Sequence, residues 1–341
     1  MMVIKSGIDI EHWEKSMDRD ELIAQIGNVA LTATLYEVSA APKPGLVDPF
    51  SRGAHSDMDY FTFLASAVAL APFFAAFASM GAEIEGESPA LLPELRKLGI
   101  EAERAMFAAT NGVNTHKGLI FSMGLVCAAA GRLLISKKQA ESNDKNAMIS
   151  GCAQEAADIV AGITVRELVP LVKADKSLVS DPIKATNAMV CSLDLSAGEK
   201  SFVKYGIRGV RGEAEDGFPS VINHALPRLH SDLLRGMSWN DAMIDALLVL
   251  YLIVDDTTVL NRGGSDGLAY IRAQAAAALS RGGMRLIEGR DFVQSLDADF
   301  SQRGLSPGGC ADLLAVTVFL EMLSNKWTKQ QKANGSAQCS S

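Results

Sequence analysis

The chain has 341 residues and a net charge of −8 at pH 7. This acidic balance argues against general nucleic-acid binding, which needs a broad basic surface, but it is compatible with a locally basic pocket. Hydrophobic residues make up 48% of the chain and aromatic residues only 6%. The core must therefore be filled largely by aliphatic side chains, which favours close-packed helices over a β-sandwich.

Cysteine spacing and charge distribution indicate a reduced, cytoplasmic protein. The five cysteines, at 127, 152, 191, 310 and 339, form no CxxC or other metal-ligand spacing. The first 20 residues lack the apolar run of a signal peptide. One segment, Tyr60 to Met80, is uncharged and long enough to cross a membrane. Because it is alanine-rich, contains Pro72 and lacks cationic flanks, we interpret it as a buried helix.

Helical periodicity dominates the chain from its N-terminal part onward. The first predicted helix is capped by Asp18 or Asp20 and ends before Pro42, and the second covers about 59–80. The third begins at Ser88, the fourth runs from near Thr115 to Leu134, and the fifth covers about 147–168. The sixth runs from Ser238 through Val254, and the last follows Ser306–Gly309 and ends at about Leu323.

The remaining segments give weaker signals. Residues 136–148 are polar and predict a surface loop, 170–200 are expected to be irregular, and 202–210 are the best candidate for a strand. There is no repeat and no break in composition. We therefore predict a single compact all-α domain over residues 1–325, with functional Gly/Pro-rich loops at helix ends. A polar tail at 326–341 is expected to be disordered.

Several polar, glycine-bearing clusters lie at predicted helix ends, where binding residues concentrate. No Walker A sequence and no GxGxxG after a strand is present, so phosphate would be held by helix N-termini and scattered side chains. Each candidate taken alone fits a surface residue or a helix cap equally well, and their repetition favours an anion site. The candidates are Lys43, Arg52, Asn114, Thr115, Lys117, Arg208, Arg211, Arg262 and Ser306.

The carboxylates of these loops are candidates for metal binding and catalysis. A turn would let Asp57 and Asp59 reach one ion, with His55 close by. The Asp255–Asp256 pair follows a helix C-terminus, where the helix dipole disfavours anions, so a metal ion or Arg262 is expected nearby. The alternative is a simple cap at 57 or 59 and a solvent-facing pair at 255–256. The predicted Mg²⁺ ligands are His55, Asp57, Asp59, Asp255 and Asp256.

His116 has three interpretations: an acid–base group, a metal ligand, or a hydrogen-bonded residue at a helix start. Because no partner is visible in the sequence, the third is favoured. The candidates for catalysis are Asp57, Asp59, His116, Asp255 and Asp256.

Six segments taken together resemble the triphosphoribosyl-dephospho-CoA synthase family, in order from about residue 20 to 323. They are 42–48, 53–59, 112–118, 208–219, 255–264 and 306–315. The resemblance implies that ATP and 3′-dephospho-CoA give 2′-(5″-triphosphoribosyl)-3′-dephospho-CoA and adenine. That product is the prosthetic-group precursor for the acyl carrier subunit of citrate lyase or malonate decarboxylase. The chain departs mildly from the pattern at Cys310, where a smaller residue is expected, and in the longer stretches 136–148 and 170–200.

The implied reaction suits the candidate residues. Mg²⁺ and the listed cations would hold the triphosphate, an aspartate would stabilise the oxocarbenium-like transition state, and a carboxylate or His116 would take the hydroxyl proton. No nucleotidyltransferase-type domain is apparent, so attachment to the carrier protein is assigned to another protein. Alanine- and glycine-rich helices permit a homodimer. The alternatives are a Mg²⁺-dependent all-α nucleotide hydrolase and a non-catalytic dephospho-CoA-binding protein.

Overall fold

The computed structural model describes residues 19–135, 144–176 and 195–338, and all regular structure within these ranges is helical. The helices are α1 (Arg19–Ser39), α2 (Tyr60–Glu83), α3 (Leu92–Ala109), α4 (Lys117–Ile135), α5 (Lys145–Ile159), α6 (Ile163–Glu167), α7 (Val169–Lys176), α8 (Ala197–Tyr205), α9 (Gly209–Glu215), α10 (Leu226–Leu234), α11 (Trp239–Ile253), α12 (Thr257–Ser280), α13 (Ile287–Gln302) and α14 (Gly308–Gln338). The all-α prediction is confirmed.

Helix starts follow the capping residues in the sequence. Asp59 accepts a hydrogen bond from the Thr62 backbone N–H at 3.0 Å, and Thr62 returns a side-chain bond to the Asp59 backbone. Ser238 accepts from the Asp241 N–H at 3.1 Å and begins α11. Such caps satisfy backbone donors that have no partner inside the helix. The Asp59 carboxylate thus has a structural role at the start of α2.

Two sequence-based assignments are wrong. The strand candidate at 202–210 lies in the end of α8 and the start of α9. The helix predicted over 147–168 is divided into α5 and α6 at Gly162, which adopts a φ of 75°. The helix α14 continues through Lys326 to Gln338. The division into a domain at 1–325 and a tail at 326–341 remains a prediction.

The helices α10, α12 and α13 were also missed in the sequence analysis. Gly264 interrupts α12 with a φ of 63° and a ψ of −163°, and this kink breaks the helical pattern in the sequence. Of the irregular segment 170–200, α7 covers the beginning and α8 the end. Residues 136–143 and 177–194, with Cys191 and Cys339, lie outside the described residues.

Close helix packing forms the core around α1, α2, α4 and α14. At Gly81 of α2 an added Cβ would overlap the Ala128 backbone of α4, and at Gly131 it would overlap the Ala78 backbone. Only glycine permits these two backbones to approach so closely. Their contact fixes the C-terminal half of α4 against α2, and the N-terminal end of α4 carries several of the predicted site residues.

Three described helices are long and apolar enough to span a membrane by length and composition: α2, α4 and α14. In α4 and α14 most of the apolar window is buried inside the protein, at 72% and 67%. In α2 the figure is only 33%, and Phe61 and Val68 are exposed on its surface. The prediction of a helix buried on all sides therefore does not hold for α2.

Candidate active site

A cavity of about 980 Å³ lies between α3, α4, α8, α9, the loop before α12 and the start of α14. One wall is apolar, and its residues include Phe77, Leu92, Leu95, Phe107 and Phe121. The remaining lining residues are mostly polar and include charges of both signs. Of the residues predicted from the sequence, Asn114, Lys117, Arg208, Arg211, Asp255 and Asp256 line this cavity.

The cations of the cavity are held by carboxylates from other helices. Lys117 Nζ lies 3.0 Å from a Glu103 oxygen. Arg211 Nε lies 3.0 Å from Glu167, and its Nη2 lies 3.5 Å from Glu199. These ion pairs are partly exposed, and such pairs contribute little to stability. A phosphate can therefore replace a carboxylate partner at low cost.

Arg208 pairs with Asp216 and lies 3.6 Å from Glu215. The hydrogen bond to Asp216 raises the pKa of Arg208 above its usual value. Arg208 and Arg211 lie at opposite ends of the first turn of α9, so one short helix presents two cations to the cavity.

Asp256 is buried and serves as the N-cap of α12. Its Oδ1 accepts from the backbone N–H groups of Thr258 at 2.8 Å and Val259 at 3.1 Å, and its Oδ2 accepts from the Cys310 N–H at 2.9 Å. Burial raises its pKa, while the backbone donors oppose that shift. Asp256 thus ties the start of α12 to the start of α14. In the sequence analysis Asp256 follows a helix C-terminus, where the helix dipole disfavours an anion. In the structure it lies at the N-terminus of α12, where the dipole favours one.

Asp255 is exposed and pairs with Arg272 Nη2 at 2.7 Å. The cation expected beside the Asp255–Asp256 pair is therefore Arg272, and the expectation of Arg262 is wrong. Arg272 lies on α12, 17 residues further along the chain and beyond the Gly264 kink, and nothing in the local sequence indicates this contact.

Asp312 also lines the cavity and was missed by sequence reasoning. It lies on α14, and its Oδ2 is so close to Gly118 of α4 that an added Cβ there would overlap it. Burial, and then the charges of Glu37 and Asp256, raise its pKa well above the usual value, while a hydrogen bond from the Leu119 backbone opposes this. The sequence feature that could have indicated Asp312 is a single carboxylate in the otherwise apolar first turns of a predicted helix.

A second group of predicted residues lies outside this cavity. His55 Nε2 is 2.8 Å from Ser306 Oγ, and Arg262 Nη1 donates to the Ala54 carbonyl at 3.0 Å. We call the segment 52–59 with Arg262 and Ser306 the loop clamp, because these contacts hold the loop before α2 against the loop before α14. Burial and then the Arg262 charge lower the pKa of His55, so the imidazole is neutral at pH 7.

The carboxylates of the loop clamp lie beside basic residues of the same loop. Arg52 Nη2 lies 3.3 Å from Asp59 Oδ2, and Asp57 Oδ1 lies 3.8 Å from His55 Nδ1. Among the described residues, no group of three or more His, Cys, Asp or Glu side chains is placed to hold a metal ion. The predicted Mg²⁺ ligands lie in two separate loops, one with His55 and one with Asp255, and these described residues do not form such a group.

Lys43 and Thr115 do not line the cavity either. Lys43 is 1% exposed, and its Nζ lies 2.6 Å from Glu37 Oε1. Burial raises the pKa of Glu37, and Lys43 opposes this shift. The Lys43 amine is thus enclosed in an ion pair, and phosphate binding by Lys43 stays a prediction that this geometry does not favour. Thr115 Oγ1 donates to Ser66 Oγ at 2.7 Å.

His116 is buried at the start of α4, where its Nδ1 lies 2.7 Å from Ser66 Oγ. Burial, and then the charge of Lys43, lower its pKa to about 3. Its Nε2 has no hydrogen-bond partner among the described residues. The imidazole is neutral at physiological pH and enclosed, which favours the hydrogen-bonded residue at a helix start over the acid–base group.

The buried cysteines carry no sign of nucleophilic chemistry. Burial raises the pKa of Cys152 to about 12 and raises the pKa values of Cys127 and Cys310 further. All three thiols are free. Cys310 packs beside Asp256 and is accommodated in the core, as its small size allows.

Comparison with known proteins identifies the family. Residues 23–331 match the model of the family described as CitG: ATP:dephospho-CoA triphosphoribosyl transferase. Two proteins from Vibrio cholerae serotype O1, of strains M66-2 and ATCC 39315 / El Tor Inaba N16961, are each 41% identical over 293 residues, covering 86% of both chains. Both are named probable 2-(5″-triphosphoribosyl)-3′-dephosphocoenzyme-A synthase. No solved structure matches the chain. The chain belongs to the ATP:dephospho-CoA triphosphoribosyl transferase family.

Proposed function

We propose that this protein transfers the 5-triphosphoribosyl group of ATP to the 2′-hydroxyl of 3′-dephospho-CoA, with release of adenine, and that it does so in the cavity. This placement is supported by where the lining residues lie in the chain. Four of the segments that resemble the family contribute residues to the cavity wall: Asn114–Gly118, Arg208–Asp216, Asp255–Thr258 and Gly309–Leu313. These segments are far apart in the chain, and only the fold brings them together.

The cavity offers suitable surroundings for both substrates. Its volume of about 980 Å³ is at the upper end of typical ligand pockets, as two bulky nucleotides require. Lys117, Arg208 and Arg211 are the cations placed to bind the triphosphate, which is retained through the reaction. The apolar wall between α3 and α4 suits an adenine ring or the pantetheine chain of dephospho-CoA.

The reaction breaks the bond between adenine and C1″ of the ATP ribose and forms a bond from C1″ to the attacking hydroxyl oxygen. Positive charge develops on the ribose in the transition state, and nearby carboxylates stabilise it electrostatically. Asp255 is the exposed carboxylate of the predicted catalytic set that lines the cavity. We assign it this stabilising role.

Mg²⁺ belongs to the proposal because it commonly accompanies nucleoside triphosphates. The described residues offer no group of three ligands, and both oxygens of Asp256 are used by backbone donors. Mg²⁺ often keeps several waters and binds through one or two carboxylates and the phosphates. The ion would therefore be coordinated mainly by the triphosphate and water, and it would neutralise phosphate charge.

The wider setting is also proposed. The product would pass to a separate nucleotidyltransferase that loads the acyl carrier subunit of citrate lyase or malonate decarboxylase, in the cytoplasm. A homodimer remains a prediction, and the exposed Phe61 and Val68 of α2 make that helix the surface to examine.

The test is an assay with purified protein, ATP, Mg²⁺ and 3′-dephospho-CoA, repeated with each component left out and analysed by chromatography. We expect adenine only from the complete mixture, together with a heavier nucleotide that keeps all three ATP phosphates. Adenine or phosphate released without dephospho-CoA would indicate the hydrolase instead. Saturable binding of dephospho-CoA without turnover would leave the non-catalytic alternative.

A further inference from the structure

Asp312 differs from the other carboxylates of the cavity in what it contacts. Glu103 pairs with Lys117, Glu167 and Glu199 with Arg211, Asp216 with Arg208, and Asp255 with Arg272. Glu213 accepts from the Ser220 hydroxyl at 2.6 Å. Asp256 accepts from three backbone N–H groups. Within the described part of the chain, Asp312 accepts a hydrogen bond from the Leu119 backbone and feels the negative charges of Glu37 and Asp256, and it forms no ion pair.

The surroundings of Asp312 favour its protonated form. Glu37 approaches it from α1 and Asp256 from the start of α12, and both add negative charge. The Glu37 carboxylate is itself paired with Lys43. On α4, Lys117 is exposed and pairs with Glu103, and on α14 itself the neighbouring Cys310 thiol is protonated. Burial and two like charges raise the pKa of the Asp312 carboxyl well above its usual value, which favours the protonated form that a proton donor needs.

Gly118 leaves no room for a side chain beside this carboxyl. An added Cβ at Gly118 would overlap Asp312 Oδ2, so the first turn of α4 touches the carboxyl directly. Asn114 and Lys117 of the same turn region line the cavity with it. The carboxyl is thus fixed at the cavity wall, close to residues that we assign to substrate binding.

We propose that Asp312 is the general acid that protonates adenine as it leaves ATP. This inference rests on the proposed transferase function. The bond from C1″ to the adenine nitrogen breaks, and its electron pair stays with the base. The Asp312 proton passes to a ring nitrogen of adenine, which leaves as the neutral base. The hydroxyl oxygen of dephospho-CoA bonds to C1″, and its proton passes to an ionised cavity carboxylate and then to water. Asp312 regains a proton from solvent after adenine has left.

The test compares Asp312→Asn with the wild type in steady-state assays of adenine release. Asparagine keeps the shape and can still accept from the Leu119 N–H, so the fold and the KM values for ATP and dephospho-CoA should change little. The kcat should fall by about 10²–10⁴-fold, the range for loss of general acid catalysis. The matched control is Asp266→Asn, an exposed aspartate outside the cavity, which should keep full activity.

The pH profile separates a general acid from a merely structural carboxyl. The kcat of the wild type should fall at alkaline pH, where Asp312 loses its proton, and this alkaline decline should be absent in Asp312→Asn. Full activity of the variant, an alkaline decline that persists in it, or loss of the acidic limb instead would overturn the proposal. Failure of the wild type to release adenine would overturn the proposed function itself, so the two failures are distinguishable.

Discussion

The cavity and the loop clamp are built from the same kinds of residue, yet they use them differently. In the cavity, Lys117 and Arg211 pair with carboxylates of other helices around an open volume. In the loop clamp, Arg262 donates to the Ala54 carbonyl and Ser306 binds His55, so the side chains join two loops. The partner of a side chain, and not its type or its neighbouring glycine, therefore distinguishes a binding residue from a structural one.

The largest expected effect is on stability and involves Lys43. Lys43→Met would leave the Glu37 carboxylate buried without its cation, which typically costs about 3–5 kcal/mol in free energy of unfolding. Urea denaturation measures this loss. The double variant Glu37→Gln with Lys43→Met removes the uncompensated charge and should regain much of the stability. An unaffected midpoint for Lys43→Met with a raised KM for ATP would return Lys43 to the binding residues.

A pair of arginine substitutions sharpens the comparison of the two regions directly. Arg211→Ala removes a cation assigned to the triphosphate and should lower kcat/KM by about 10²–10³-fold, as expected for one stabilising donor. Arg262→Ala removes loop-clamp contacts and should mainly lower the melting temperature. Steady-state kinetics and thermal unfolding of both variants check this. The comparison fails if Arg262→Ala loses more activity than Arg211→Ala in a folded protein.

The third prediction concerns pH and His116. Its pKa is about 3 in the folded protein, below the value near 6.5 expected for the unfolded chain, so the unfolded state binds the proton first as pH falls. Stability should decline from about pH 6.5 downward, with a contribution of about 2 kcal/mol between pH 7 and pH 5. His116→Gln should reduce this slope in denaturation curves, whereas the exposed His224→Gln should not. An unchanged slope in His116→Gln would show that His116 is not buried in its neutral form.

The smallest effect is expected at Ser306. Ser306→Ala removes one hydrogen bond to His55, worth about 1 kcal/mol in free energy of unfolding, and should leave the KM for ATP unchanged. Denaturation and steady-state kinetics of this variant measure both quantities. A clear rise in KM would place the loop clamp in the substrate site and weaken the distinction between the two regions.

Local signals in the sequence predicted the all-α fold and many helix starts, because caps such as Asp59 and Ser238 act within three residues. They failed where long-range packing decides. Gly264 broke the pattern of α12, although the helix continues beyond the kink. Asp255 pairs with Arg272, 17 residues away on α12, and Lys43 is enclosed by the fold. These outcomes depend on contacts that the local sequence does not show.

The prediction of site residues likewise succeeded where local signals suffice and failed where long-range contacts decide. Residue types and glycine-bearing loops indicated Lys117, Arg208 and Arg211, and these do line one cavity. Asp312 was missed because it lies in the apolar start of a helix, and its contact with Gly118 joins segments far apart in the chain. The loop clamp was included because its residues have the same chemistry as those of the cavity. Only their hydrogen-bond partners separate the two.

The central claim, that the cavity binds the triphosphate, is tested most directly by a crystal structure with ATP and 3′-dephospho-CoA bound to the inactive Asp312→Asn variant. We predict that the triphosphate lies within hydrogen-bond distance of Lys117 and Arg211, with C1″ near Asp255 and the adenine ring near residue 312. A triphosphate bound at Arg52 and Arg262 in the loop clamp would contradict the account.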